Sequence, residues 1–269
     1  MLWATGVLLR VGDKHFVLTA AHVFDAFPMR PIPLVITDGV VGNPLFPVGD
    51  VTLRRSPTAI PGQRLKDDPF DTCVCDISIE TADKIIAGQQ YRFLELKEVE
   101  PWDENNARGW YMVLGFPTKL NEEDLGPNVL GSAGCAYATF IYLGERGMDP
   151  LKRAIRGVHI LMDYGPNTTV DDDGKSVSPP PPYGMSGGGM WRVAKRGINL
   201  SDWTIQDLKL IGIQSAVVKK EQVLKGTRIE HALGFIYRGH EDLRPEIERH
   251  FGAEECRKRL AIFNQHDPK

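Results

Sequence analysis

Cysteine is scarce in this chain. Four cysteines in 269 residues are too few for a disulfide scaffold. No apolar run approaches the roughly 18 residues of a membrane-spanning helix. Neither sign of charge is in large excess: 32 Lys and Arg face 35 Asp and Glu, for a net charge of −3. That balance argues against a broad nucleic-acid-binding face and against a polybasic membrane anchor. Neither nucleic acid nor membrane is therefore expected as a partner. The opening residues Met1-Leu2-Trp3-Ala4-Thr5-Gly6 lack a basic segment followed by a long apolar stretch. No secretory signal is visible, and a cytoplasmic location is expected. Cys73 and Cys75 stand two apart, on one face of an expected strand, which is poor geometry for a mutual disulfide. A Cys-x-Cys pair is weak as a metal signal, so these read as structural thiols, with no metal and no cofactor expected.

What is plentiful is Gly (27) and Pro (19), too much for a helical bundle and suited to a loop-rich β architecture. Short apolar runs recur at 6–11, 15–19, 32–36, 51–54, 74–80, 110–115, 137–143, 155–162, 189–193, 208–218 and 233–237, with turn residues between them. Such spacing predicts an all-β barrel or sandwich. Gly12-Asp13 is a hairpin signal, and Ala20 to Phe24 predicts a tight helical turn. Residues 163–183 break the pattern with Asp171-Asp172-Asp173-Gly174 and Pro179 to Pro182, a long polar loop. Beyond Glu241, Leu243, Ile247, Phe251, Cys256, Leu260 and Phe263 recur at helical spacing. They predict an amphipathic C-terminal helix that breaks near Gly252.

Three separated segments carry chemistry. Tyr183-Gly184-Met185-Ser186-Gly187-Gly188-Gly189 surrounds one serine with glycines. A serine hydroxyl is a weak nucleophile and needs a base. Flanking glycines allow backbone N–H groups to converge on an oxyanion. Thr19-Ala20-Ala21-His22 supplies a candidate base after an apolar strand, where small residues let the imidazole lie close to its neighbours. Asp76, within Cys73-Val74-Cys75-Asp76-Ile77-Ser78-Ile79, is the preferred acid. A carboxylate inside an apolar run would be buried and would need a partner. Asp67, Asp68 and Asp71 precede it in a more polar stretch and read as solvated loop acids.

Together these segments resemble the chymotrypsin/trypsin-like serine proteases, most nearly the bacterial HtrA-like and glutamyl-endopeptidase-like branches. The resemblance rests on Thr19 to His22, on Asp76-Ile77-Ser78-Ile79 and on Gly184 to Gly188. Val113-Leu114-Gly115-Phe116-Pro117 and Leu210 to Ala216 are further matches, and the order His, Asp, Ser is the family's. It implies two antiparallel six-stranded β-barrels, in halves of roughly 1–100 and 101–238, with residues 239–269 as a helical extension. It implies a serine endopeptidase acting on protein or peptide substrates through an acyl-enzyme. Ser186 would be nucleophile, His22 base, and Asp76 its orienting acid, as in the family's known chemistry. The N–H groups of Gly184 and Ser186 would form the oxyanion hole. Gln214, Ser215 and Ala216 would meet the substrate backbone, and Pro180 would sit at the pocket floor, where an aspartate would have favoured basic residues. An apolar or small side chain is expected there instead.

Departures from the family are visible. Val23, not cysteine, follows His22, as suits a disulfide-free form. Little chain precedes Gly6, which speaks against activation by propeptide cleavage and leaves control to an activating protein partner, an ordering loop or an oligomer. Two other functions compete: an idle or latent scaffold of the same fold that binds peptides, and an α/β-hydrolase, since Gly184 to Gly188 also fits Gly-x-Ser-x-Gly. The hydrolase needs a strand before the serine and a helix after it, whereas prolines precede and glycines follow. An unperturbed histidine base predicts loss of activity below roughly pH 6–7.

Overall fold

The computed structural model describes residues 4–26, 31–36, 46–54, 64–88, 91–103, 109–118, 134–142, 154–165, 175, 178–194, 204–219 and 221–258. Strand β1 (Val7–Val11) alternates, burying Val7, Leu9 and Val11 while Arg10 faces out. That period of two is what a one-sided strand requires. Gly12, at φ +61°, turns the chain into β2 (Lys14–Thr19), with Val11 opposite Lys14. This is the expected hairpin. The expected helical turn follows as a 3-10 helix, Ala21–Ala26. β3 (Ile32–Ile36) and β4 (Phe46–Val51) form a two-stranded sheet, and β5 (Cys73–Ile77) joins β2 in a sheet of order β1-β2-β5.

One segment expected as strand passes into helix partway, and another is helix throughout. The run at 74–80 stops at Ile77, where the Ser78 hydroxyl accepts a hydrogen bond from the Thr81 N–H (3.2 Å) and caps α1 (Ile79–Ala87). A serine cap outweighs the β character of the preceding run because it satisfies an otherwise orphaned N–H. Residues 233–237 lie in α2 (Ile229–Gly239), where Ile229, Ala232, Leu233 and Ile236 are all buried. Their spacing of three and four is helical, not alternating.

The second half holds β6 (Trp110–Gly115), β7 (Cys135–Thr139), β8 (His159–Asp163), β9 (Gly189–Ala194), β10 (Lys209–Val218) and β11 (Val223–Arg228). β11 was not among the expected runs. The sheet order is β7-β6-β9-β10-β11-β8, with every neighbour antiparallel. Just past β7, Ile141 bridges Met162 on β8, and the Tyr142 N–H donates to the Leu161 carbonyl (2.9 Å). The six strands thus curl back on themselves as a barrel. The first half shows five strands in two sheets among the described residues.

Residues 94–100 stitch the halves together. The Arg10 N–H donates to the Leu94 carbonyl (2.8 Å), and the Glu100 N–H donates to the Leu210 carbonyl (3.0 Å). One core then runs through both. Leu9, Phe16, Leu18, Phe70 and Val74 pack with Leu210, Ile213 and the buried face of α2. α3 (Arg244–Phe251) adds Ile247 to that core and ends at Gly252, φ +84°, after which residues 253–258 are again helical. This is the expected break. Among the described residues no helix is long and apolar enough to cross a membrane. The acidic run Asp171 to Asp173 lies outside the described residues. Ile236 is fully buried at the centre of the shared core. Ile236→Ala is expected to lower the unfolding free energy by about 2–5 kcal/mol in urea denaturation.

Candidate active site

The end of β2 positions His22. Ala20 and Ala21 are fully buried, so the short helix sits tight against the sheet and brings the imidazole to its surface. There His22 meets Asp71. Its Nδ1 lies 2.9 Å from Asp71 Oδ2 and 3.0 Å from Oδ1, and its backbone N–H donates to Oδ1 at 3.0 Å. Backbone and ring thus bind one carboxylate, which fixes the ring's orientation and commits Nδ1–H, leaving Nε2 for a second partner. Asp71 is 5% exposed and sits at φ +41°, a strained conformation for a residue with a side chain.

This corrects the choice of acid. Asp76 is on the other face of β5 from the cysteines, and its carboxylate meets His240 Nε2 at 3.3 Å, with a side chain 38% exposed. The principle behind the choice holds, since a buried carboxylate does need a partner. It applies to Asp71, because the chain buries Asp68, Phe70, Asp71 and Thr72 before β5 begins. Asp68 is also buried and accepts from the Phe70 N–H (2.9 Å). The one sequence signal for Asp71 is its place between buried Phe70 and Thr72 at the mouth of an apolar strand.

The electrostatics follow from burial. Desolvation pulls the His22 pKa down, but the hydrogen bond to Asp71 and the charges of Asp71 and Asp25 outweigh it, so the net shift is upward from 6.5. Burial raises Asp71 as well, against the bonds from His22. Each group resists charge alone in this setting, and the ion pair relieves both.

Ser186 sits on a loop closed by two left-handed glycines, Gly184 (φ +86°) and Gly187 (φ +91°). A Cβ at Gly187 would fall 2.0 Å from the Thr5 carbonyl oxygen and 2.1 Å from Thr19 Oγ1. Only glycine allows this approach. The buried Thr5 then clasps the loop. Its N–H donates to the Ser186 carbonyl (2.8 Å), its hydroxyl donates to the Gly184 carbonyl (2.9 Å), and its carbonyl accepts from the Thr19 hydroxyl (2.7 Å). The serine loop is therefore tied to the end of β2, three residues before His22. Among the described residues neither the Gly184 nor the Ser186 N–H donates a backbone hydrogen bond.

The other expected residues divide. Gln214 donates its N–H to the Gly188 carbonyl (2.8 Å) and accepts from the Gly187 N–H (2.7 Å). Its backbone supports the serine loop and is not open to a ligand strand. From Ala216 to Val218, β10 pairs with β11 on one side, whereas its register with β9 ends at Ile213. Ser215 is buried, with its hydroxyl donating to the Lys225 carbonyl at 3.4 Å. Pro180 lines an open groove with Tyr137, Tyr164, Tyr183, Val217 and Lys219, and its carbonyl accepts from the Tyr164 hydroxyl at 3.0 Å. Among the described residues no cluster of side chains is arranged to hold a metal ion.

No protein-family model matches the chain, and no curated protein matches it. Solved structures similar to it include three proteases. One is a Glu endopeptidase in complex with MPD, at 10% identity over 90% of this chain and 92% of that one, with a TM-score of 0.46. The serine protease domain of the Sesbania mosaic virus polyprotein matches at 11% identity over 87% and 85%, with a TM-score of 0.40. Kallikrein-related peptidase 10 in complex with Zn2+ matches at 13% identity over 89% and 95%, with a TM-score of 0.45. Likeness this distant decides nothing about chemistry, which has to come from the chain's own residues.

The two acids are separable by experiment. Asp71→Asn is expected to lower the pKa of His22, followed by NMR of the imidazole, because burial then acts with less opposition. Asp76→Asn is expected to leave the His22 titration unchanged.

Proposed function

We propose that this chain is a serine endopeptidase of the chymotrypsin-like class. The observation that carries the reading is the His22–Asp71 pair. A buried carboxylate holds Nδ1 of an imidazole three residues beyond Thr19, against which the glycine-bound serine loop is tied through Thr5. On this reading His22 Nε2 takes the Ser186 proton as the hydroxyl attacks the scissile carbonyl, then returns it to the leaving amine. Asp71, in place of Asp76, orients the imidazole and stabilises its charged form. The N–H groups of Gly184 and Ser186, which donate no backbone hydrogen bond among the described residues, serve as the oxyanion donors on this reading. A peptide substrate pairs with the edge of β10 at Ala216 and Val217 as an added strand. Its side chain enters the groove walled by tyrosines and Pro180, which suits an apolar residue.

Metal and cofactor play no part in this proposal, since the reacting groups supply nucleophile, base and oxyanion donors. A fluorophosphonate probe is expected to label the protein, and Ser186→Ala to abolish labelling. The labelling rate should fall as the pH drops through an inflection above 6.5, the ordinary histidine value. A raised pKa keeps His22 protonated, and so unable to act as base, up to a higher pH. Labelling that survives Ser186→Ala, or a rate flat from pH 5 to 8, would reject the assignment. Peptide binding without labelling would favour a scaffold that does not cut.

A further inference from the structure

The strained segment carrying Asp71 is gripped from the opposite half of the molecule. His159, on β8, directs Nε2 at the Pro69 carbonyl oxygen (2.8 Å), while the Ile155 N–H donates to its Nδ1 (2.8 Å). Because Nδ1 accepts, the ring proton must lie on Nε2, and His159 donates to Pro69. On the neighbouring β11, the Thr227 hydroxyl donates to the Phe70 carbonyl. The Phe70 ring, fully buried, packs on His231 (4.9 Å between centroids) and Phe235 (6.4 Å) of α2. Two consecutive carbonyls just before Asp71 are thus held by two adjacent strands of the second barrel, and the intervening ring by α2. Asp71 itself touches His22 of the first half.

We propose that His159 and Thr227 are positioning residues that hold Asp71 against His22, so that the second barrel sets the state of the His22–Asp71 pair. A residue at φ +41° stays there only when its surroundings over-determine it. The two donors do that from outside the segment. His159 is suited to the task because it does not titrate where enzymes work. Burial first, then the charge of Lys225, push its pKa down to about 3, so the donor tautomer persists. The charged and titratable groups facing this region are Asp25, Asp71 and Lys225 around His22, and Lys225, His231 and Arg228 around His159. This role rests on the catalytic reading above for its purpose, but its geometry does not, and the two can fail separately.

The test is an NMR titration of the His22 imidazole in the full chain, which needs no activity, run beside fluorophosphonate labelling. His159→Phe fills the space without the donor. It is expected to move the His22 pKa from its raised value down toward 6.5, and to slow labelling by at least about tenfold through misplacement of the pair. His159→Gln keeps an N–H donor for Pro69 and should restore both. Thr227→Val removes the second donor and should lower the His22 pKa on its own, which covers the case where His159→Phe does not fold. A folded His159→Phe with the wild-type His22 titration would overturn the inference, as would His159→Gln being as impaired as His159→Phe. Failure of the wild-type chain to label, with the His22 shifts as expected, would instead sink the protease reading and leave the positioning role standing.

Discussion

The contact between the serine loop and the N-terminal sheet constrains the rest of the site. At Gly187 two backbones meet so closely that even a methyl group would overlap the Thr5 carbonyl. The geometry at this point is therefore set by hard-core repulsion, not by a soft attraction that could relax. Thr5 turns the approach into a fixed joint, because its N–H, hydroxyl and carbonyl are all committed to the loop or to Thr19. Thr5 itself is buried, as is its bond from Thr19, and leaving a buried partner unsatisfied costs about 1–3 kcal/mol. The joint ties the loop that carries Ser186 to the end of β2, three residues before His22.

The second constraint is the buried charge. Asp71 is in a setting that opposes ionisation, and His22 in one that opposes protonation. Neither is comfortable alone, so the pair holds together through mutual relief. Asp76 and His240 make a similar contact at the surface of the first sheet, where β2 and β5 meet the end of α2. There the carboxylate keeps access to water, and the pair links β5 to the residue that follows α2. Lys14 joins it, bonded to both His240 (3.3 Å) and Asp242 (2.6 Å).

α2 connects these features. Its apolar face fills the space between the two sheets, its His231 and Phe235 brace Phe70, and its C-terminal end reaches Asp76 through His240. The helical tail beyond residue 239 extends the same core through Leu243 and Ile247. The halves therefore share one apolar interior, in addition to the chain segment 94–100 that joins them.

Much of this was legible along the chain. Short apolar runs between turn residues marked most strands, Gly12-Asp13 marked the first hairpin, and the spacing beyond Glu241 marked the terminal helices. His22 and Ser186 stood out because small residues and glycines around them are local requirements of close packing. What stayed hidden depends on long-range contact. Ser78 reads as part of an apolar run until the chain turns at it to cap a helix. Residues 233–237 fit a strand until Ile229 and Ala232 are counted with them. The choice between Asp71 and Asp76 could not be made from sequence, because burial of a loop carboxylate is decided by what packs over it. The segment that carries Asp71 is bonded from the far half of the molecule, by His159 at the Pro69 carbonyl and by Thr227 at the Phe70 carbonyl. Local pattern determines which residues can do chemistry and which segments can be strands. Which acid meets the histidine is decided only when the two halves close, since desolvation and hydrogen bonding act through space and take no account of distance along the chain.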